Sequence, residues 1–123
     1  MIELIWILRT AVKGDRPQSI RFEDLEWLLF DRLWGQDRIA IYSTSLMLDE
    51  DLRKLANLGA IEYDGKTIAV DPNAFRQKTE PIVWTANWMI AGNAYLKYVR
   101  DRIVQRAEEL AERVARADAQ AAV

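Results

Sequence analysis

The fold is decided by the stretch Leu52-Arg-Lys-Leu-Ala-Asn-Leu-Gly-Ala-Ile-Glu-Tyr-Asp-Gly-Lys-Thr-Ile-Ala-Val70. Its leucines, Leu52, Leu55 and Leu58, recur at the three-residue spacing of one helical face, and a glycine follows where a helix would end. Two β-prone runs come next, separated only by Asp64-Gly65. This dipeptide is a strong hairpin signal, because a type I′ turn needs positive φ at both central residues. The stretch therefore predicts a short helix followed directly by a tight β-hairpin.

The residues before this stretch predict a strand and the start of the helix. Arg38 to Tyr42 is rich enough in β-branched and aromatic side chains for a short strand. Thr44 and Ser45 then offer N-caps for the helix. An alternative is one extended segment from Ile39 to Leu48, with Asp49 as the cap. We expect the earlier start, because it gives a helix of ordinary length.

The N-terminal part of the chain predicts two helices. Ile2 to Val12 carries an apolar stripe wide enough to be covered on more than one side. Phe22 to Trp34 has acidic residues in its first turn, where the helix dipole favours them. The apolar residues of this second helix fall on two faces, so we expect it to pack against two partners. The two sets are Phe22, Leu25, Leu29 and Leu33, and Trp27, Phe30 and Trp34.

Residues 80 to about 118 predict one long helix, because the segment contains a single glycine and no proline after Pro81. Such a helix would be about 58 Å long at 1.5 Å per residue. A compact unit of residues 1–78 is only about 30 Å across, so we expect the helix to project beyond it. The chain then divides into a compact domain, 1–78, and a long C-terminal helix in 79–123. The fold class is mainly α with a small β-hairpin.

The long helix carries two apolar stripes with different predicted partners. Trp84 and Trp88 begin one stripe, which we expect to dock on Trp27, Phe30 and Trp34 of the second helix. The other stripe repeats at the seven-residue spacing of a coiled coil. If left alone it would expose a row of large apolar residues, each worth about 1.5–3 kcal/mol on burial, so it predicts a homodimer seam. The seam residues are Met89, Leu96, Ile103, Ala107, Leu110 and Val114.

Composition excludes several kinds of chemistry. The 123 residues contain no cysteine and no histidine, which removes thiolate chemistry, the commonest general base and the commonest metal ligand. The sequence also lacks a Gly-rich phosphate loop, metal-ligand spacing and a nucleophile elbow. We therefore expect no enzyme activity, no metal and no cofactor. Polar residues interrupt the most apolar run, Pro81 to Val99, so it predicts a buried helix rather than a membrane span, and the cytoplasm is the expected location.

The predicted order of elements resembles winged-helix (winged helix-turn-helix) DNA-binding proteins of the PadR-like kind. It is also similar to small archaeal winged-helix chromatin proteins that pair through a C-terminal coiled coil. The resemblance implies a dimeric transcriptional or chromosome-associated regulator that binds duplex DNA. The residues that carry it are Asp51-Leu52…Leu55…Leu58-Gly59-Ala60-Ile61…Asp64-Gly65…Ile68…Val70.

The resemblance also implies which residues contact DNA. In such domains the start of the recognition helix enters the major groove, and the wing contacts the backbone or the minor groove. The acidic run Asp49 to Asp51 would repel DNA at that position. The implied contacts come from Thr44, Ser45, Arg53 and Lys54 on the helix, Lys66 on the wing, and Arg76 and Lys78 just beyond it.

Two other functions stay open at this point. The same fold can serve as a protein-interaction module, with the acidic helix or the tryptophan faces meeting a protein partner. Exposed tryptophans can also stack on the bases of a single-stranded nucleic acid. The arginines that would supply the flanking charge are Arg32, Arg38, Arg100 and Arg102.

Overall fold

The computed structural model describes residues 1–121, and helices make up most of this part of the chain. A small three-stranded antiparallel sheet completes it, which confirms a mainly α fold with a small β component. Residues 122 and 123 of the expected C-terminal segment lie outside the described residues. The elements are α1 (Ile2–Ala11), β1 (Gln18–Arg21), α2 (Phe22–Glu26), which continues as a π-helical segment (Trp27–Trp34), α3 (Ser45–Asn57), β2 (Glu62–Tyr63), β3 (Thr67–Val70), α4 (Pro72–Ile90) and α5 (Ala94–Ala121).

The sheet has β3 at its centre, with β1 on one side and β2 on the other. The expected strand at Arg38–Tyr42 is therefore wrong. Arg38 has φ 58°, and the amide of Ile39 donates to the Leu33 carbonyl, so these residues close the preceding helix. The true third strand is Gln18–Arg21, which pairs with β3 through residues such as Ile20 opposite Ile68. Sequence patterning missed it because its four residues include only one apolar side chain.

The hairpin lies where the Asp64-Gly65 dipeptide predicted it, but its turn differs from the expected type. Gly65 has φ 93°, whereas Asp64 does not have a positive φ. The Asp64 carboxylate instead accepts hydrogen bonds from the amides of Lys66 (2.8 Å) and Thr67 (2.7 Å). The side chain of the aspartate thus fixes the turn, as short polar side chains commonly do.

The expected single helix over residues 80–118 is wrong. α4 begins earlier, at Pro72, where the Asp71 carboxylate caps it by accepting from the Asn73 amide at 3.1 Å. It ends at Ile90, and Gly92, with φ 79°, turns the chain into α5. The Asn93 side chain then accepts from the Leu96 amide at 3.0 Å in the first turn of α5. The expected boundary between residues 78 and 79 falls inside α4.

α5 packs back against α1 rather than projecting from the domain. Both helices contribute to one core, in which Leu4, Ile5, Ile7 and Leu8 of α1 are fully buried. This confirms that α1 is covered on more than one side. Ion pairs also bind α5 to the second helix and the loop after it. They are Arg106 with Asp37 at 2.7 Å, Glu109 with Arg32 at 2.8 Å, and Arg113 with Asp24 at 3.2 Å.

Four residues of the predicted dimer seam lie in this core. Ile103, Ala107, Leu110 and Val114 are at most 2% exposed within the single chain. They are not available to a second copy, so the expected seam is wrong for these four. The other two differ: Met89 is 71% exposed and Leu96 is partly buried. The heptad spacing does mark an apolar stripe on α5, but α1 and its neighbouring elements bury the side chains of that stripe.

The expected docking of the tryptophan stripe is also wrong. Trp84 and Trp88 are 62% and 69% exposed, so they do not cover the second helix. Trp27 is instead covered by α5, where the Arg113 guanidinium lies 3.6 Å from the centre of its ring. The predicted second face of this helix is covered only in part, because Trp27 and Phe30 are partly buried whereas Trp34 is 47% exposed. α5 is one of the elements that pack on the helix.

Candidate nucleic-acid interface

α3 begins at Ser45 with Thr44 as its N-cap, which is the earlier of the two predicted starts. The Thr44 hydroxyl accepts a hydrogen bond from the Met47 amide at 3.3 Å, which satisfies one of the free amides of the first turn. Leu48, Leu52 and Leu55 form the buried face of the helix, whereas Leu58 is exposed. The first turn faces solvent, where Leu46 is 66% exposed.

A shared carboxylate joins α3 to the hairpin. Asp49 accepts from the Tyr63 hydroxyl at 2.6 Å and from Arg53 Nε at 2.9 Å. The Arg53 guanidinium lies 5.3 Å from the centre of the Tyr63 ring, close to the glycine of the turn. The hydrogen bonds from Arg53 and Tyr63 hold the pKa of Asp49 below its usual value. Helix and hairpin therefore present one connected polar surface.

The two ends of α2 complete this surface. Ser45 donates to a carboxylate oxygen of Glu26 at 2.5 Å, and the Phe22 amide donates to the Lys66 carbonyl at 2.8 Å. The Phe22 and Tyr63 rings stack with their centres 6.3 Å apart. The α3–hairpin surface defined by these contacts includes five of the seven predicted DNA-contacting residues. They are Thr44, Ser45, Arg53, Lys54 and Lys66.

Two cations of the α3–hairpin surface are paired with acids of the same helix. Arg53 binds Asp49, and Lys54 Nζ lies 3.6 Å from an oxygen of Asp51. Burial alone would raise the pKa of Asp51, but a 2.6 Å hydrogen bond from the Tyr42 hydroxyl helps to hold it below its usual value. Both acids are therefore ionised at neutral pH. Among residues 1–121, Lys66 forms no ion pair within 4.0 Å and is exposed at the hairpin turn. Its charge lies near Asp64, where backbone hydrogen bonds and, to a smaller extent, Lys66 lower the pKa of the Asp64 carboxyl.

The other two predicted contacts, Arg76 and Lys78, are exposed on α4. That helix packs on α1, and Arg9 donates to the Arg76 carbonyl at 3.0 Å. Within the described residues, no hydrogen bond or ion pair links either side chain to α3 or the hairpin. The structure thus does not bring these two together with the other five.

Sequence reasoning missed four participants in this surface. Glu26 and Tyr63 hold Ser45 and Asp49 in place, and both contacts join residues far apart in sequence. Leu46 and Met47 occupy the exposed first turn, at 66% and 44% exposure. Helical periodicity carried a signal for Leu46, because it falls off the face that contains Leu48, Leu52 and Leu55.

Comparison with known proteins provides no relative: no protein-family model, curated protein or solved structure matches the chain. Within residues 1–121, no group of three or more acidic side chains is placed to hold a metal ion. None of the helices described is both long and apolar enough to cross a membrane.

Proposed function

We propose that this chain is a winged-helix protein that binds duplex DNA through the α3–hairpin surface, as a transcriptional or chromosome-associated regulator of the cytoplasm. The main support is the order of its elements: helix, strand, helix, helix and hairpin, with the sheet in the order β1-β3-β2. That order sets a capped, solvent-facing helix beside a hairpin with an exposed lysine at its turn.

The charges of the surface determine how such binding would work. Thr44 and Ser45 lie at the amino end of α3, where the helix dipole favours a phosphate. Lys66 supplies a second phosphate contact from the hairpin. Arg53 contributes only when it exchanges Asp49 for a phosphate oxygen, so each complex requires one ion pair to open. We therefore expect moderate affinity and, because few phosphates are contacted, a modest weakening as salt rises.

Fluorescence anisotropy tests this proposal with one labelled duplex and the matching single strand, each at two salt concentrations. We expect duplex binding that weakens as salt rises, and a loss of about tenfold in affinity for Lys66→Glu and for Arg53→Glu. Lys78→Glu is the matched control, because it makes the same charge change on α4. Equal losses for Lys78→Glu and Lys66→Glu, or no duplex binding, would overturn the proposal.

A protein-interaction module is the second candidate, and the exposed Leu46 and Met47 favour it. Large apolar side chains at this position bind protein surfaces better than they bind phosphates, and the neighbouring acids suit a basic partner. The discriminating variant is Leu46→Gln/Met47→Gln. Duplex affinity unchanged in this variant supports DNA binding through phosphates. If the unsubstituted chain does not bind duplex DNA but binds a protein partner that this variant no longer binds, the result favours the second candidate.

A further inference from the structure

Three arginines line one open cavity between the start of α2 and the second half of α5, which we call the arginine cavity. It has a volume of about 240 Å³. Its walls within the described chain are formed by Arg21, Asp24, Arg113, Arg116, Ala117 and Gln120. Asp24 is the one acid among these six residues, although the chain as a whole carries a net charge of −2. The cavity is therefore positively charged on an otherwise acidic protein.

A buried carboxylate holds two of these arginines together. The Asp24 side chain is 8% exposed, and it accepts from Arg21 Nε at 3.2 Å and from Arg113 Nη1 at 3.2 Å. The Arg113 guanidinium also lies 3.6 Å from the centre of the Trp27 ring, which is a cation–π contact. Arg113 is thus held in place before a ligand arrives, so binding costs little additional side-chain entropy.

The arginines keep unused hydrogen-bond donors and a surplus of charge. A guanidinium has five N–H donors, but within the described residues Arg113 donates only through Nη1, and Arg116 only through Nε, to the Glu112 carbonyl. Arg116 is exposed and forms no ion pair within 4.0 Å in this part of the chain. Glu23 pairs with Arg21 at 2.8 Å, so three guanidinium groups meet two carboxylates and one positive charge remains.

Arg21 connects the arginine cavity to the α3–hairpin surface. It lies opposite Thr67 in the pairing of β1 with β3. It also lines a second cavity, of about 320 Å³, together with Glu26 and Lys66 of the α3–hairpin surface. Arg21 therefore lies between the hairpin turn and the arginine cavity and borders both.

We propose that the arginine cavity binds a phosphate group of the DNA backbone, next to the contacts of the α3–hairpin surface. This inference rests on the proposed function, since it extends the contact with the same duplex beyond the hairpin turn. Guanidinium groups bind phosphate oxygens through paired hydrogen bonds, and Arg113 and Arg116 have the donors for them. A phosphodiester carries one negative charge, which matches the one positive charge that remains at the cavity. Continuity through Arg21 favours a backbone phosphate over a free phosphate ion.

Fluorescence anisotropy with the labelled duplex tests this contact through Arg116→Glu. The Arg116 side chain is exposed and bonds only to the backbone of its own helix among the described residues, so the variant should still fold, which circular dichroism can verify. We expect the dissociation constant to rise about fivefold to tenfold. Arg116→Gln should lower the slope of log affinity against log salt by about 0.9, the share of one phosphate contact. Lys97→Glu is the matched control, since it reverses an exposed charge on the same helix about 28 Å away, and we expect no change.

A label on the cavity wall tests whether the duplex reaches this place. Ala117→Cys provides a single attachment point there, because the chain has no cysteine of its own. We expect the emission of an environment-sensitive fluorophore on this residue to change when duplex is added. The same label on Ala94→Cys, exposed at the start of α5, should not respond. A response at Ala117→Cys to inorganic phosphate but not to duplex would assign the cavity to a free anion and overturn the proposal.

The outcomes separate this inference from the proposed function. If Lys66→Glu weakens duplex binding and Arg116→Glu does not, the cavity contact alone is overturned. If Arg116→Glu weakens duplex binding while Lys66→Glu and Arg53→Glu do not, the α3–hairpin contacts are overturned and the cavity contact is supported. If the unsubstituted chain does not bind the duplex, both are overturned.

Discussion

At the residue scale, ion pairs on α5 make the stability of the fold depend on pH. Asp37 accepts from Arg106 at 2.7 Å and 3.0 Å, and these bonds hold the pKa of Asp37 below its usual value. Burial alone would raise the pKa of Glu109, but hydrogen bonds from Arg32 and Arg106 outweigh burial and lower it. Both carboxylates are therefore more acidic in the folded chain than in the unfolded one.

The sign of the pH dependence follows from this difference. Unfolded Asp and Glu have pKa values of about 3.9 and 4.3, so the stabilisation is complete above about pH 5. It is lost as the pH falls through the lower, folded pKa values. We predict that Asp37→Asn lowers the melting temperature at pH 7 and makes the fall between about pH 5 and pH 3 less steep than in the unsubstituted chain. Circular dichroism melts over this range measure the effect.

Asp31→Asn serves as the control for this prediction. Asp31 is exposed on the π-helical segment that precedes Asp37, and it forms no ion pair within the described residues. Its substitution should leave both the melting temperature at pH 7 and the steepness of the acid transition nearly unchanged. Melting temperatures that are the same at pH 7 and fall equally steeply with pH for Asp37→Asn and the unsubstituted chain would contradict a stabilising role for the ion pair between Asp37 and Arg106.

At the scale of elements, the position of α5 is what sequence periodicity could not determine. The heptad spacing of Ile103, Leu110 and their neighbours indicated an apolar stripe, and the stripe exists. A stripe of this kind does not say whether its cover comes from the same chain or from a second copy. That choice depends on the Ala91-Gly92-Asn93 turn, which reverses the chain and returns α5 to α1. A glycine followed by an asparagine carries that signal, as a helix end and a new N-cap.

The variant Leu110→Ala distinguishes burial of this apolar stripe within one chain from burial by a second copy. Leu110 is fully buried within the single chain, so we expect a loss of about 2–5 kcal/mol in the free energy of unfolding. Urea unfolding should show the same loss at two widely separated protein concentrations, because the contacts are intramolecular. Met89→Ala, at an exposed position of the same predicted seven-residue series, should cost far less. A loss for Leu110→Ala that depends on protein concentration would instead indicate a seam between two copies.

At the scale of the whole molecule, the chain has two surfaces with different chemistry. The α3–hairpin surface is polar, with its charges largely paired, and the α4–α5 turn is aromatic. Sequence reasoning located α3 and the hairpin well, because Thr44, the leucine spacing and Asp64-Gly65 are local signals. It placed the aromatic residues wrongly, because the exposure of Trp84 and Trp88 depends on contacts between distant segments. For the same reason it did not find that Asp49 holds Arg53 and Tyr63 together.

The most direct test of duplex DNA binding is whether the substitution Asp49→Asn raises or lowers the affinity for duplex DNA. This variant removes one acid and releases Arg53, while the asparagine oxygen still accepts from Tyr63. We expect tighter binding to duplex DNA at low salt, by about twofold to fivefold, given that an exposed ion pair is worth up to about 1 kcal/mol. Asp101→Asn is the control, since it removes the same charge and releases Arg100 near the start of α5. Unchanged or weaker duplex binding by Asp49→Asn would contradict DNA binding through the α3–hairpin surface.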